Sequence, residues 1–303
     1  MTIKNRSKIC LIVSCCIMIL ALLLSIFGLG INLGIDFAGG MSMQYNMGQT
    51  VTQTDVEAVL KDMGIDANVT VQGENKDEVN IRIKDIGLED TQTVQKTFVE
   101  KIAEKYPNVS QSGDVNYVGP VAGRTLVSNA IWSVVIASAL MLVYIAIRFD
   151  LNSGIAAVLG LVHDVLIMLS FMVLLRSFIQ MNSTFIAAML TIVGYSINNT
   201  IVIFDRIREN HRKAVYANLP RQEVVSISVK ESLGRTINTT LTTVVTILCL
   251  YILGVASIKE FALPIIIGIL AGVYSANLIN GYIWAALTEL RASRAAQKKA
   301  AKA

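Results

Sequence analysis

The chain has 303 residues, 53% of them hydrophobic and only 16% charged, with a mean hydropathy of +0.57. That is too apolar for a soluble globular domain and points to a protein with several membrane spans. The formal net charge of +4 conceals an uneven division along the chain, which bears on orientation.

Residues 1–8 carry Lys4, Arg6 and Lys8, and an uncharged run covers 9–35. Its length is well beyond the ~7–15-residue core of a cleavable signal, so it reads as a retained helix, the first span. Residues 36–123 then have ordinary soluble character. Met41–Asn46 alternates as a strand does, and Val56, Val59, Leu60 and Met63 recur at helical spacing after the cap candidates Thr52 and Thr54, with Gly64 as the stop. Asn68–Val71 and Glu78–Lys84 read as strands, Glu89–Tyr106 as a helix closed by Pro107, and Val115–Val118 as a last strand. The order βαββαβ predicts an α+β, ferredoxin-like domain. It contains no Cys/His cluster, phosphate loop or nucleophile–base pair, which leaves binding or mechanical work as its role.

Further runs of spanning length follow at 124–148, 151–175, 177–204, 236–258 and 261–288, separated by a basic loop at 205–235 and followed by a basic tail at 289–303. Each approaches or exceeds the roughly 20 residues that cross a ~30 Å hydrocarbon core. The fold class is therefore a polytopic α-helical membrane protein with six transmembrane helices and one inserted domain. An even count puts both termini on one side. The termini and the connections on that side hold 16 Lys/Arg against six acids, which predicts that side to be cytoplasmic and residues 36–123 to be extracytoplasmic. Cys10, Cys15, Cys16 and Cys249 all fall in apolar runs, so no disulfide framework is expected.

Polar groups inside spans are costly and usually face a partner, water or a substrate. His163 and Asp164 lie near the middle of the third span. They read either as a proton relay or as a hydrogen-bonded anchor between helices. Tyr195, Asn198, Val202 and Asp205 share one face of the fourth span, with Asn199 beside them, as helix glue or as part of an ion path. Asp205, Arg206, Arg208 and Glu209 stand where that helix should leave the membrane. In the fifth span Arg235, Thr239, Thr242 and Thr246 form a stripe that begins with a cation. Gly268 and Gly272 form a GxxxG, a packing signal; with Gly154 and Gly160 they suggest small-residue faces free for a partner. With two histidines in the chain, one in the basic loop, neither a metal site nor any cofactor is expected.

These residues together resemble the SecF family of bacterial protein-export subunits, within the resistance–nodulation–division superfamily. The matching stretches are Gly34-Ile-Asp36-Phe37-Ala-Gly39-Gly40, His163-Asp164, Gly194-Tyr195-Ser196 through Asp205-Arg206-x-Arg208-Glu209, and Glu231-Ser232-x-x-Arg235-Thr236 with Thr239, Thr242 and Thr243. Phe261, Gly268, Gly272, Tyr274 and Ser275 complete the series. The resemblance implies a non-enzymatic subunit in the bacterial cytoplasmic membrane that works with a SecD-like six-span subunit and the Sec translocon channel. It would act on an unfolded exported polypeptide, driven by the proton or sodium gradient, with no nucleic acid involved. The ion-coupling candidates are Asp164, His163, Asn199, Asn198, Asp205 and Arg235. One departure stands out: the family usually has Asn-Asp where this chain has Asn198-Asn199, and asparagine cannot titrate. Two alternatives remain, a superfamily exporter of lipids or small molecules and a passive structural subunit of the export complex.

Overall fold

Among the described residues, six helices are long and apolar enough to cross a membrane. The computed structural model describes residues 3–73, 75–84, 87, 90–177 and 179–300. Glu89, expected to open a helix, and the extreme ends of both terminal segments lie outside them. The chain divides into two units, one of residues 33–131 with 181–183, the other of the remainder.

The smaller unit begins with a single turn, α2 (Ile35–Ala38), and the strand β1 (Gly40–Asn46). Gly39 and Gly40 have φ of 81° and 125°, values that only glycine adopts without strain, and a Cβ on Gly40 would collide with the Ile83 carbonyl. The double glycine thus lets β1 start hard against its neighbour. The helix α3 (Gln53–Asp62), β2 (Ala67–Gln72), β3 (Glu78–Ile83), the helix α4 (Thr91–Ala103), β4 (Ser110–Gln111) and β5 (Asn116–Val118) follow. The sheet is antiparallel in the order β2-β3-β1-β4, with β5 also paired to β1. Alternation explains the core: Met41, Met43 and Tyr45 of β1 and Val79, Ile81 and Ile83 of β3 point inward, where Phe98 and Ile102 of α4 meet them. The final strand, expected at 115–118, is β5 at Asn116–Val118, and a two-residue strand not expected from the sequence, β4, precedes it. Gly113 lies between them against the side chain of Gln44, so the chain can pass β1 there.

In the first turn of α3, Asp55 accepts from Lys105 Nζ at 2.6 Å and from Tyr106 Oη at 2.8 Å. These bonds, led by that from Lys105, hold its carboxyl down to about 2 from an ordinary 3.8.

The larger unit contains α1 (Ile3–Ile26), most of α5 (Pro120–Arg148), α6 (Leu151–Leu174), α7 (Ser183–His211), α8 (Arg221–Leu253) and α9 (Ala256–Ser275), which passes through a π-helical turn at Ala276–Asn280 into α10 (Gly281–Ala300). The helix α6 is capped by Asp150, whose side chain accepts the Asn152 N–H at 3.1 Å. The segment 205–235, expected as a loop, is mostly helix: α7 continues to His211, and α8 starts at Arg221 after Pro220. Val224, Val225, Ser228, Val229 and Ser232 are buried at helical spacing. Arg206 bridges Glu231 at 2.7 Å and Glu209 at 2.5 Å, and Asn210 donates to Glu231 at 2.6 Å, which joins the two helix ends.

The small-residue faces do not lie open as expected. All four glycines are buried. A Cβ on Gly154 would sit 3.1 Å from Leu142 Cδ1, one on Gly268 2.5 Å from Ile192 Cγ1, and one on Gly272 3.2 Å from Ser196 Cβ, while one on Gly160 would overlap the Asn280 amide. Without a hydrophobic drive between helices in lipid, close packing is what such residues supply, and the chain's own helices use it.

The low carboxyl value of Asp55 gives a pH prediction. Because it lies below the ordinary value, the stabilisation is complete above about 4 and is lost as pH falls through about 2. A carboxyl NMR titration of labelled protein should place the Asp55 midpoint near 2, and in Lys105→Met it should move up toward the ordinary value.

Candidate functional site

Asp164 is wholly buried in the middle of α6, and His163 beside it is 9% exposed. Three helices besides α6 converge on this pair. Asp164 Oδ2 accepts from Ser196 Oγ of α7 at 2.5 Å and from Ser275 Oγ of α9 at 2.9 Å, and Oδ1 lies 2.9 Å from His163 Nδ1. His163 Nε2 is 2.7 Å from Ser14 Oγ of α1, Ser14 bonds Tyr274 Oη, and Tyr274 donates to the Cys10 carbonyl at 2.5 Å.

Donor counting assigns the protons along this line. A carbonyl can only accept, so the single Tyr274 hydroxyl proton goes to Cys10. Tyr274 therefore accepts from Ser14, which has then spent its own proton and must accept from His163 Nε2–H. The imidazole thus carries a proton on Nε2, and the Nδ1–Oδ1 contact needs one proton more. That proton makes the pair either imidazolium–carboxylate or imidazole–carboxylic acid, with zero net charge in both forms. Removing it would set a ring lone pair against a carboxylate oxygen at 2.9 Å, so the contact cannot survive deprotonation unchanged. The arrangement places one shared proton between ring and carboxyl inside an apolar bundle.

The glycines of α9 make this geometry possible. Gly272 lets the Ser196 backbone approach, and a Cβ there would also stand 3.5 Å from Asp164 Oδ2. A second polar layer lies along the same helices: Asn280 in the π turn donates to Thr200 Oγ1 at 2.8 Å and leaves its Oδ1 unpartnered. Such turns widen the helix and occur often at functional sites.

The other candidates do not join this cluster. Asn199 is 3% exposed, and among the described residues its Nδ2 has no hydrogen-bond partner; Asn198, one residue earlier, faces outward. Tyr195 is half-buried and donates to Thr240 Oγ1 at 3.3 Å, while Asp205 is exposed. Arg235, Thr239, Thr242 and Thr246 are all exposed on α8. The three threonine hydroxyls bond back to their own helix, Thr239 to the Arg235 carbonyl at 2.9 Å, Thr242 to that of Thr239 at 2.8 Å and Thr246 to that of Thr242 at 2.9 Å. Among the described residues neither Asp205 nor Arg235 has an ion-pair partner; the pairing across these helices is Arg206–Glu231 instead. Arg208 donates to the Arg148 carbonyl at 3.1 Å. Gly194 has open space beside it.

In the smaller unit, Gly34 donates its N–H to the Met181 carbonyl at 2.8 Å. Asp36 Oδ2 accepts the N–H of Ser183, the first residue of α7, at 2.8 Å, satisfying one of the donors that a helix start leaves unpaired. Phe37 is buried, and its carbonyl lies where a Cβ on Gly123 would come within 2.8 Å. Among the described residues no group of three or more His, Cys, Asp or Glu is placed to hold a metal. Ser14, Thr200 and Asn280 were not singled out from the sequence. Their signal is faint, since one hydroxyl or amide in an apolar run does not reveal what it faces.

Six spans, an inserted antiparallel sheet and a buried His–Asp pair bonded from three further helices define a multi-pass membrane protein with polar groups inside its bundle. Residues 98–290 match the family "Protein export membrane protein SecD/SecF, C-terminal", and residues 24–51 match the "SecD/SecF GG Motif". The chain is 36% identical to a protein translocase subunit SecF of Thermodesulfovibrio yellowstonii over 87% of both chains. It is 36% identical to the protein translocase subunit SecDF of Bacillus subtilis over 84% of its own length but only 34% of that protein. The crystal structure of SecDF from Thermus thermophilus, a translocon-associated membrane protein, superposes with a TM-score of 0.80 at 31% identity, covering 95% of this chain and 39% of that one. The chain belongs to the SecD/SecF protein-export family. It spans about a third of the length of the SecDF proteins it matches and most of the length of the SecF proteins.

The Gly160–Asn280 contact supplies a test of the packing. Gly160→Ala puts a methyl into the Asn280 amide and should destabilise the purified protein by about 1–3 kcal/mol, the usual cost of overpacking. A lowered melting temperature in detergent, restored in part by Asn280→Ala, is the expected outcome.

Proposed function

We propose that this chain is the SecF-type half of a protein-export accessory complex in the bacterial cytoplasmic membrane. It pairs with a SecD-like six-span subunit and helps draw an unfolded polypeptide outward through the Sec translocon channel, at the expense of an ion gradient. Residues 36–123 form a ferredoxin-like domain on the outer side, a reading supported by the antiparallel order β2-β3-β1-β4 around two helices. The basic residues of 205–235 and of the tail favour cytoplasmic termini. In that orientation a single cysteine at Asn75, in an otherwise cysteine-free chain, should react with impermeant reagent in intact cells.

The observation that carries the partnership is the outward polar strip. Asn198 lies about 22 Å along α7 from Ser183, at spanning depth, and it faces away from the chain's own core with Asp205. Arg235 and its threonines do the same on α8, and among the described residues Arg235 has no ion pair. Polar groups in hydrocarbon face a partner or a water path, and in the SecDF relatives one chain holds much more than this chain matches. A second subunit over this strip, with its own acid opposite Arg235, accounts for both facts.

Coupling through this chain rests on His163 and Asp164. Asn199 occupies the position of the family carboxylate and cannot titrate, whereas the His163–Asp164 pair shares a proton and is tied by hydrogen bonds to α1, α7 and α9. Losing or gaining it would re-pack those helices, which is what a gradient-driven device requires.

Export into membrane vesicles, with and without an imposed proton gradient, tests this reading. Asp164→Asn should insert and assemble yet lose most of the gradient-dependent increment. Arg235→Lys should also lose it, because an ammonium lacks the guanidinium fork that orients a facing carboxylate. A full response by both variants would leave the chain a passive structural subunit. Asn199→Asp should be tolerated, since the family usually carries an aspartate at this position.

A further inference from the structure

Where α5 ends and α6 begins, a cavity of about 200 Å³ opens between those ends, the last turns of α7 and the helix α10. Its walls include Phe149, Phe204 and Trp284, and Arg208, His211 and Arg212 line it as well. The charges are not balanced locally. Among the described residues neither Arg208 nor Arg212 has a carboxylate partner, and the acids nearby are engaged elsewhere: Glu209 with Arg206 and Lys213, Glu231 with Arg206. The one carboxylate in the lining is Asp150. Its Oδ2 accepts the Asn152 N–H at 3.1 Å, and its Oδ1 accepts from the Ser153 hydroxyl and from Trp284 Nε1 at 3.4 Å, so it serves as a helix cap. Arg208 is held in place by the Arg148 carbonyl and the Phe149 ring, whose centroid is 6.0 Å from its Cζ; Arg148 lies 5.3 Å over the same ring.

The surroundings are as informative as the charges. Ile147 is 81% exposed and Leu151 50% exposed, immediately either side of the Phe149–Asp150 corner, and Leu290 on α10 is 55% exposed. Cations at a cavity mouth beside bare aliphatic side chains match a molecule with an anionic head and hydrocarbon tails. Basic pockets between spans bind anionic headgroups in this way.

We propose that this cavity is a binding site for an anionic phospholipid. Its phosphodiester is held by Arg208 and Arg212, with His211 at the mouth, and its acyl chains run over Ile147 and Leu151. The site lies outside the Asp164 cluster, and the inference does not depend on the export role.

The chain has two tryptophans, so Trp132→Phe leaves Trp284, in the cavity wall, as the sole reporter. The full chain carrying that change is reconstituted into phosphatidylcholine vesicles containing a fixed fraction of acyl-brominated lipid, as phosphatidylglycerol or as phosphatidylcholine. Brominated phosphatidylglycerol should quench Trp284 with an apparent preference of about fivefold or more, the factor that one cation's attraction at a membrane surface supplies. Arg208→Gln with Arg212→Gln should abolish the preference, and Arg212→Gln alone should reduce it. Arg208→Lys with Arg212→Lys should keep most of it, which separates lost charge from lost fold. Equal quenching by the two lipids, no quenching by either, or a preference unchanged in the double glutamine variant would overturn the assignment. Inorganic phosphate or glycerol 3-phosphate, matched against sodium chloride for ionic strength, should not relieve the quenching. Relief at millimolar concentration would identify a soluble phosphate ligand and overturn the lipid reading.

Discussion

A carboxylate with no exposed surface must be satisfied by the protein itself, and Asp164 imposes that demand on the apolar bundle. Its oxygens take Ser196 from α7, Ser275 from α9 and the ring of His163, which is in turn tied to α1 through Ser14. Each donor has to arrive at hydrogen-bond distance from a different helix, so the spacing of four spans is set around one side chain. Gly272 fits this arrangement: a methyl there would press to 3.2 Å on Ser196 Cβ and stand 3.5 Å from the Asp164 carboxyl. A GxxxG that reads as a generic packing motif is here the condition for a polar contact.

The same economy explains the two faces of α7. Ser196, Asn199 and Thr200 turn inward, while Asn198 and Asp205 turn outward. In water an outward asparagine would need no comment. In a bilayer it calls for a facing group, and together with Arg235 on α8 it marks a side where, among the described residues, the chain supplies no ion-pair partner. The hydrophobic exposure of α1 and α5, by contrast, suits lipid and requires no partner. The proposed distinction between a lipid-facing and a partner-facing surface therefore rests on a few polar residues.

The inserted domain obeys the rules of water. It buries Met41, Met43, Tyr45, Val79, Ile81, Phe98 and Ile102 without a disulfide, and its two long strand pairings, β1 with β3 and β2 with β3, come from simple alternation. The double glycine after α2 and the acceptance of the Ser183 N–H by Asp36 show what the Gly-x-Asp-Phe-x-Gly-Gly stretch does locally. The aspartate satisfies a helix start and the glycines supply backbone angles that other residues resist. Neither role is chemical in the catalytic sense, yet each is specific to its residue type.

Six apolar runs, the alternation in β1 and β3, and the oddity of His163-Asp164 in mid-span were all legible from residue order, because hydropathy and periodicity are local properties. The helical character of 221–235 was legible too, in the spacing of Val224, Ser228 and Ser232, but its charge masked it. What residue order could not carry is which way a small polar residue faces. Asn198 and Asn199 are neighbours, yet one is outward and the other buried. Ser14 and Tyr274 are separated by 260 positions and share a hydrogen bond. The four glycines suggested open faces and proved to be filled by the chain's own helices. Such facts depend on the rotation of one helix against another, a quantity that packing of the whole bundle decides. The sequence by itself determined that a histidine–carboxylate pair would sit in the membrane; only the tertiary structure decided that the carboxylate would be met by serines from two other converging helices.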